Sequence, residues 1–524
     1  MNRLLLLFLV LAPLWGTAQS VLKNKKDKTP IEILNSDRVL YDEEIAKADR
    51  LIGNVRLKYK EAIMKCDSAY RYPNGDFEAF STVRINQGDS LRLNGDRLYI
   101  TNEDKQAKLR DRISLRDKDL TLTTEILDYD LETGVASYFG GGKIVSSENQ
   151  NVLTSKQGFY DSESEFFHFR DSVVLKNREY TVLSDTLKYS GQAETAFFFG
   201  PTEIKSDNNT IYCSRGWYNT VSGVCQFTNR AEIWSKNTYL AGDSVYYEAE
   251  QGFGEVFGGV VIQDTTSNYL IQGEYGWHNE EDDRSLVTDR AQMIQFFDTD
   301  SLFLHADTLR AEPDSLGKRL ITAYEHVKFF KSDLQGKADS LTYAEEDSLL
   351  TLLGAPVLWS DANQISGELI DIKIFSGKIQ QMDIYDAALI ISEAAPESYN
   401  QIKGRNLTGY FKDNQLSRIH VKGNGQTIYF PVEEGEEKKA VGVNKAECSD
   451  VIIYVEGTEI QRIALINKPS GAMHPLSKAV DADLFLEGFF WDTMNRPLTR
   501  EEIFSWIEEE VELEEEEELE IEGE

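Results

Sequence analysis

Along most of the chain, apolar and polar positions alternate in short runs that restart at a fixed interval. A mostly acidic residue opens each run, and apolar or aromatic side chains follow two and four places on, as in Asp96-Arg97-Leu98-Tyr99-Ile100, Asp185-Thr186-Leu187-Lys188-Tyr189, Asp243-Ser244-Val245-Tyr246-Tyr247 and Asp339-Ser340-Leu341-Thr342-Tyr343. The openings fall at 67, 96, 125, 156, 185, 214, 243, 274, 307, 339 and 368. A period of two places Leu98, Leu127, Tyr129, Leu187, Tyr189, Val245, Tyr247, Leu341 and Tyr343 on one face of a strand. A second alternating segment follows a turn-forming residue in each unit: Gly53-Asn54-Val55-Arg56-Leu57, Asp111-Arg112-Ile113-Ser114-Leu115, Asp171-Ser172-Val173-Val174-Leu175 and Glu325-His326-Val327-Lys328-Phe329. Its inward positions are Val55, Leu57, Ile113, Leu115, Val173 and Leu175. Turn pairs such as Asn74-Gly75 and Thr133-Gly134 complete a strand–turn–strand grammar.

A step of 29 to 33 residues marks an array in which each unit buries its apolar face against its neighbours. The pattern predicts one strand of each unit in each of two facing sheets, with the acidic residues as strand starts. At 156, 214 and 274 the second position is glycine (Gly158, Gly216, Gly276), followed by Phe159, Trp217 and Trp277. Glycine there opens space or relieves a bend. Arrays of this kind are scaffolds or binding surfaces more often than enzymes.

Composition adds compartment and charge. Residues 1–18 read as a secretory leader: Arg3, an apolar stretch from Leu4 to Leu14, then Gly16-Thr17-Ala18. No other run is long enough to cross a bilayer as a helix. The formal charge is −34, and the twelve glutamates among residues 508–524 carry about a third of it, so the body is acidic too. That balance disfavours nucleic acid and anionic membranes as partners. Residues 507–524 read as a disordered acidic tail. Cys213 and Cys225 flank one hairpin and could bridge it, or could stand as small buried apolar residues.

The recurring Asp-Thr-Leu-Lys-Tyr and Gly-Asn-Val segments, with Gly404-Arg405-Asn406-Leu407-Thr408-Gly409-Tyr410-Phe411 and Val421-Lys422-Gly423-Asn424-Gly425, resemble the OstA-like family, which includes the LptA-like periplasmic proteins of lipopolysaccharide transport. The likeness runs through residues 31–440 and looks like a long subfamily. It implies an all-β, elongated, incompletely closed β-jellyroll whose two sheets form an apolar groove for lipid acyl chains. The fifteen inward residues named above would then line the groove. It also implies a periplasmic location, with association with the outer membrane a further expectation. The partners it implies are lipopolysaccharide or a related lipid, end-to-end copies of the chain, or other transport proteins.

Residues 441–506 break the pattern. Val451–Val455 and Ile460–Ile466 read as strands, and Thr499 with Glu502 reads as a helix-start capping box. Phe485, Phe489, Phe490 and Trp491 look fit to cap the end of the array, so a small α/β capping region is expected. The six histidines show no metal-ligand spacing, and there is no nucleophile elbow or nucleotide-binding loop. No catalytic residue, metal or cofactor is expected. Two rivals stand beside the lipid carrier: a right-handed parallel β-helix acting on polysaccharide, and an envelope structural protein.

Overall fold

The computed structural model describes residues 31–507, apart from 44–46, 89–90, 118–119, 148–149, 162–163, 165, 191, 266–267, 299, 345, 376–377, 413–414, 434–438, 457–458 and 481–483. The expected leader and the tail beyond 507 lie outside the described residues. The chain falls into two units, Met1–Thr133 and Gly134–Glu524. Both are all-β, built from consecutive antiparallel strands of mostly ten to thirteen residues. Among the described residues every strand pairing is antiparallel, which excludes the parallel β-helix.

In the first unit Ala48–Tyr59, Ala62–Arg71, Phe77–Gln87, Leu91–Thr101, Gln106–Asp117 and Leu120–Asp130 pair in chain order. The register slips once near the middle of each pairing. Gly53-Asn54 oppose Asp67, Ser81-Thr82 oppose Asp96, and Asp111-Arg112 oppose Glu125. Two residues facing one is the count of a β-bulge, which bends a strand and increases its twist. The doubled residues sit in the left-handed region, as at Gly53 (φ 78°), Asn54 (φ 45°), Asp111 (φ 64°) and Arg112 (φ 51°). Glycine, Asn and Asp tolerate that region best. The opposed acid answers the exposed donors of the corner: Arg112 donates its backbone N–H to Glu125 Oε2 at 3.0 Å, and Asn54 Nδ2 donates to Asp37 Oδ2 at 2.9 Å.

The second unit repeats the device at Asp171-Ser172 against Asp185, Asn229-Arg230 against Asp243, Glu325-His326 against Asp339, and Gly423-Asn424 against Ser449. Some strands break outright at the corner. Arg284–Thr288 and Gln292–Phe296 both pair with Tyr269–Asn279, leaving Asp289-Arg290 between them. The expectation of one strand per sheet is therefore corrected. Each strand passes through both walls, and the acidic residues expected as strand starts lie at mid-strand corners.

The C-terminal region also departs from expectation. Val443–Glu456, Glu459–Ile466 and Ser470–His474 extend the same antiparallel order. The chain then runs back over the outer face of the sheet as an irregular strap, residues 484–507, with single 3-10 turns at Leu476–Lys478 and Glu502–Phe504. Gln401 donates to the Leu484 carbonyl and accepts from the Leu486 N–H, both at 2.8 Å. Gln364 clamps Phe490 O and Asp492 N in the same way, at 2.8 and 2.9 Å. Lys337 pairs with Asp492, and Lys328 donates to Asn495 and to the Ser505 carbonyl. The helix expected after Thr499 does not extend past Phe504. Phe504 stacks on His305 and Trp506 meets His326, so residues two apart must face one way, which an extended backbone at Ser505 achieves and a helix cannot. A cavity of about 450 Å³ lies at this end, lined by His305, Asp307, His326, Ile503, Phe504 and Trp506. Phe489 and Trp491, expected at the end of the array, pack on Tyr399.

Candidate functional site

The corner column folds every strand into two walls around an apolar trough. On one wall, cross-strand register aligns a single aliphatic row. In the first unit it runs Leu57, Met64, Ile85, Leu93, Leu115, Leu122. In the second it runs Ile144, Leu153, Leu175, Val182, Ile204, Ile211, Ile233, Leu240, Ile262, Ile271. The opposite wall of the second unit carries a floor row of alternating bulk, Tyr138, Gly158, Phe169, Leu187, Phe198, Gly216, Phe227, and above it an upper row, Tyr160, Phe167, Tyr189, Ala196, Tyr218, Cys225, Tyr247.

The periodic glycines acquire a reason here. A Cβ at Gly158 would lie 2.2 Å from the Tyr138 ring, and one at Gly216 2.8 Å from the Phe227 ring. Each glycine makes room for a neighbouring aromatic ring that fills the floor.

The fifteen residues expected to line the groove divide by height. Val55, Leu98, Ile113, Leu127, Val173, Leu187, Val245 and Leu341 flank the corner and are at most 2 % exposed, so they form a closed floor. Leu57, Leu115, Leu175 and Tyr247 stand higher and are buried, while Tyr129, Tyr189 and Tyr343 are half-buried. The floor residues are packed core, and only the upper ones stand where a ligand could reach. Sequence reasoning missed the alternate members of the aliphatic row: Met64, Leu93, Leu122, Leu153, Val182, Ile211, Leu240 and Ile271. Each lies three places before a repeat opening, and that constant offset is the signal that marks them.

Residues from both walls meet across the trough. In the first unit Leu57, Met64, Leu93 and Leu115 from one wall and Ile100, Ala107 and Tyr129 from the other line one cavity of about 70 Å³. A water in bulk takes about 30 Å³, so this space is narrow. In the second unit the Tyr180 and Tyr218 rings meet at 5.5 Å, and the Arg319 guanidinium lies 5.6 Å from the Tyr269 ring centre. Burial pushes the Tyr218 and Tyr247 hydroxyls up to about 12, Tyr247 also feeling Glu280, so both are neutral at physiological pH.

Cys213 and Cys225 are buried free thiols. Cys225 sits opposite Tyr218, and Cys213 opposite Thr202 on the other neighbouring strand. Burial pushes Cys213 up to about 12 and raises Cys225 as well. Among the described residues no three His, Cys, Asp or Glu side chains are grouped to hold a metal ion, and no helix is long and apolar enough to cross a membrane.

Residues 28–185 and 173–243 match the family model of the OstA-like protein. Residues 297–378 match that of the LptA/(LptD N-terminal domain) LPS transport protein. The crystal structure of LptH, the LptA homologous periplasmic component of the lipopolysaccharide transport device from Pseudomonas aeruginosa, aligns with 28% of this chain and 99% of that one, at 13% identity and a TM-score of 0.21. No curated protein matches the chain. With bent antiparallel hairpins repeated about an apolar trough and two family models matching along its length, the chain belongs to the OstA-like family of lipopolysaccharide-transport proteins.

Proposed function

We propose that the trough holds the acyl chains of lipopolysaccharide or a related lipid and passes them through the periplasm between the inner and outer membranes. The observation that carries this reading is the aliphatic row, which continues strand after strand within each unit and faces a second apolar wall. Each methylene removed from water contributes about 0.8 kcal/mol. Neighbouring rungs of like chemistry let a chain slide with little change in free energy. The protein then acts as a scaffold, and a drive for direction comes from elsewhere. End-to-end copies or other transport proteins are its proposed partners, meeting it strand edge to strand edge.

The test places a photoreactive amino acid at Leu93 or Leu175 on the row and at outward Arg92 or Lys176 as controls, in the native envelope. Labelled lipopolysaccharide at the row and not at the controls is the expected result. Equal labelling at both, or lipid-free protein in native mass spectra, would overturn the reading.

A further inference from the structure

One polar group in the second unit is left over by the packing. Tyr180 opens the strand Tyr180–Ser190 at the mouth of the aliphatic wall and is only 9 % exposed. Its hydroxyl is buried with no hydrogen-bond partner among the described residues. The ring meets Tyr218 of the opposite wall. Tyr189 and Tyr218 flank Ala196 in the upper row, and the small Ala196 side chain leaves a dent between the two rings.

A buried hydroxyl without a partner costs stability, and such a cost persists in a fold where something recovers it. Burial raises the Tyr180 pKa, so the hydroxyl stays protonated and can donate. Charge narrows the acceptor. The ionisable neighbours felt by Tyr180 are Tyr218, Tyr189 and Glu179, with no cation among them, so a phosphate or free carboxylate would meet repulsion. A neutral acceptor suits the place. Resting on the proposed acyl-carrying role, we infer that Tyr180 is a specificity-determining residue that donates its hydroxyl to the ester or amide carbonyl of an acyl chain lodged between the walls. The aliphatic row then takes the hydrocarbon below the carbonyl, and the Tyr180–Tyr218 pair marks how deep the chain can sit.

The probes are two short-chain phosphatidylcholines of equal length, one ester-linked and one ether-linked. An ether oxygen is the poorer acceptor and lacks the carbonyl. Binding of each to the full-length protein and to Tyr180→Phe is measured by native mass spectrometry, and thermal unfolding is followed in parallel. One net hydrogen bond corresponds to roughly threefold to tenfold in affinity. The wild type should prefer the ester by that factor, and Tyr180→Phe should lose the preference while still binding both. The variant should also unfold at a higher temperature without ligand, because an unsatisfied hydroxyl is gone. Equal ester and ether binding by the wild type, or a preference that survives in Tyr180→Phe, overturns the inference and leaves the trough reading standing. No binding of either lipid by the wild type overturns the trough reading, and the inference with it.

Discussion

Gly158→Ala separates two effects of opposite sign. Gly158 lies within the strand Val152–Asp161, outside the left-handed region, so its backbone would accept alanine. On backbone grounds alone the substitution should stabilise by about 0.4–1 kcal/mol, through the unfolded chain. The packing says otherwise. The new methyl would lie 2.2 Å from the Tyr138 ring, and a Cβ at Gly142 would lie 2.4 Å from the same ring. Tyr138 is wedged between two glycines, and its hydroxyl is tied to Ser155 Oγ at 2.5 Å, so it cannot swing aside freely. Overpacking of this sort costs about 1–3 kcal/mol. The larger effect wins, and a net loss of about 0.5–2.5 kcal/mol is expected. Removing the ring should remove the penalty: Gly158→Ala in a Tyr138→Leu background should be neutral or stabilising, a coupling of about 1–3 kcal/mol. The assay is urea unfolding followed by tryptophan emission, which reports the second unit because every tryptophan except Trp15 lies there. An unchanged or raised midpoint for the single variant would refute the account of the glycine period.

Three further expectations concern the strap and the thiols. Gln364→Ala leaves Phe490 O and Asp492 N without their clamp, each worth about 1–3 kcal/mol if it stays buried, so cleavage by protease within 484–507 should accelerate; an unchanged rate counts against the clamp. Burial lowers His305, which accordingly favours its neutral form in the fold, so the 502–506 turn should loosen as pH falls below the ordinary histidine value of about 6.5. Lys328 is lowered to about 8, first by burial and then by Lys337, so its penalty develops as pH falls from about 10.5 to 8 and stays constant below. Hydrogen exchange at Phe504 and Trp506 across that range should show protection highest at alkaline pH, and a flat profile would oppose both assignments. Cys213 and Cys225 should resist a thiol reagent at pH 8 in native protein and react after unfolding, because burial holds both thiols protonated.

Strand content was legible because period two is written into single residues, and the repeat step because eleven weak copies share one register. The mid-strand corner was harder to read. Asp185 looks like a residue that begins a strand, since the alternation restarts there, yet the restart comes from a bulge that flips the parity of a continuous strand. Turn chemistry and bulge chemistry call on the same Gly, Asn and Asp. Half of the aliphatic row was missed because attention stayed on residues after the openings and never on Leu122 or Ile211 before them. The strap was beyond reach for another reason. Its anchors, such as Lys328 with Ser505 and Gln335 with Arg496, join residues more than 150 apart, and an irregular segment has no period to betray the face it covers.

The trough is narrow at rest, so the proposed cargo must part the walls, and the contacts holding them together decide whether it can. Across the mouth of the second unit stand one aromatic pair, Tyr180 with Tyr218, and one cation–π contact, Arg319 with Tyr269. An aromatic pair is worth about 0.5–1.5 kcal/mol beyond its area, and a partly desolvated cation–π contact about 2 kcal/mol. A hydrocarbon chain of about a dozen methylenes gains on the order of 10 kcal/mol on leaving water. The incoming chain therefore supplies more than these two contacts withhold, and opening at the mouth is downhill. The floor is another matter: Leu187, Phe198, Phe227 and Val245 are fully buried, and separating them would expose several large side chains at about 1.5–3 kcal/mol each. Opening should thus hinge on the corner column and spare the floor. A spin-label pair at Tyr180 and Tyr218 should move apart when lipid binds, while a pair flanking Leu187 and Phe198 should hold its distance. A floor that opens as far as the mouth would show that the corners are not the hinge.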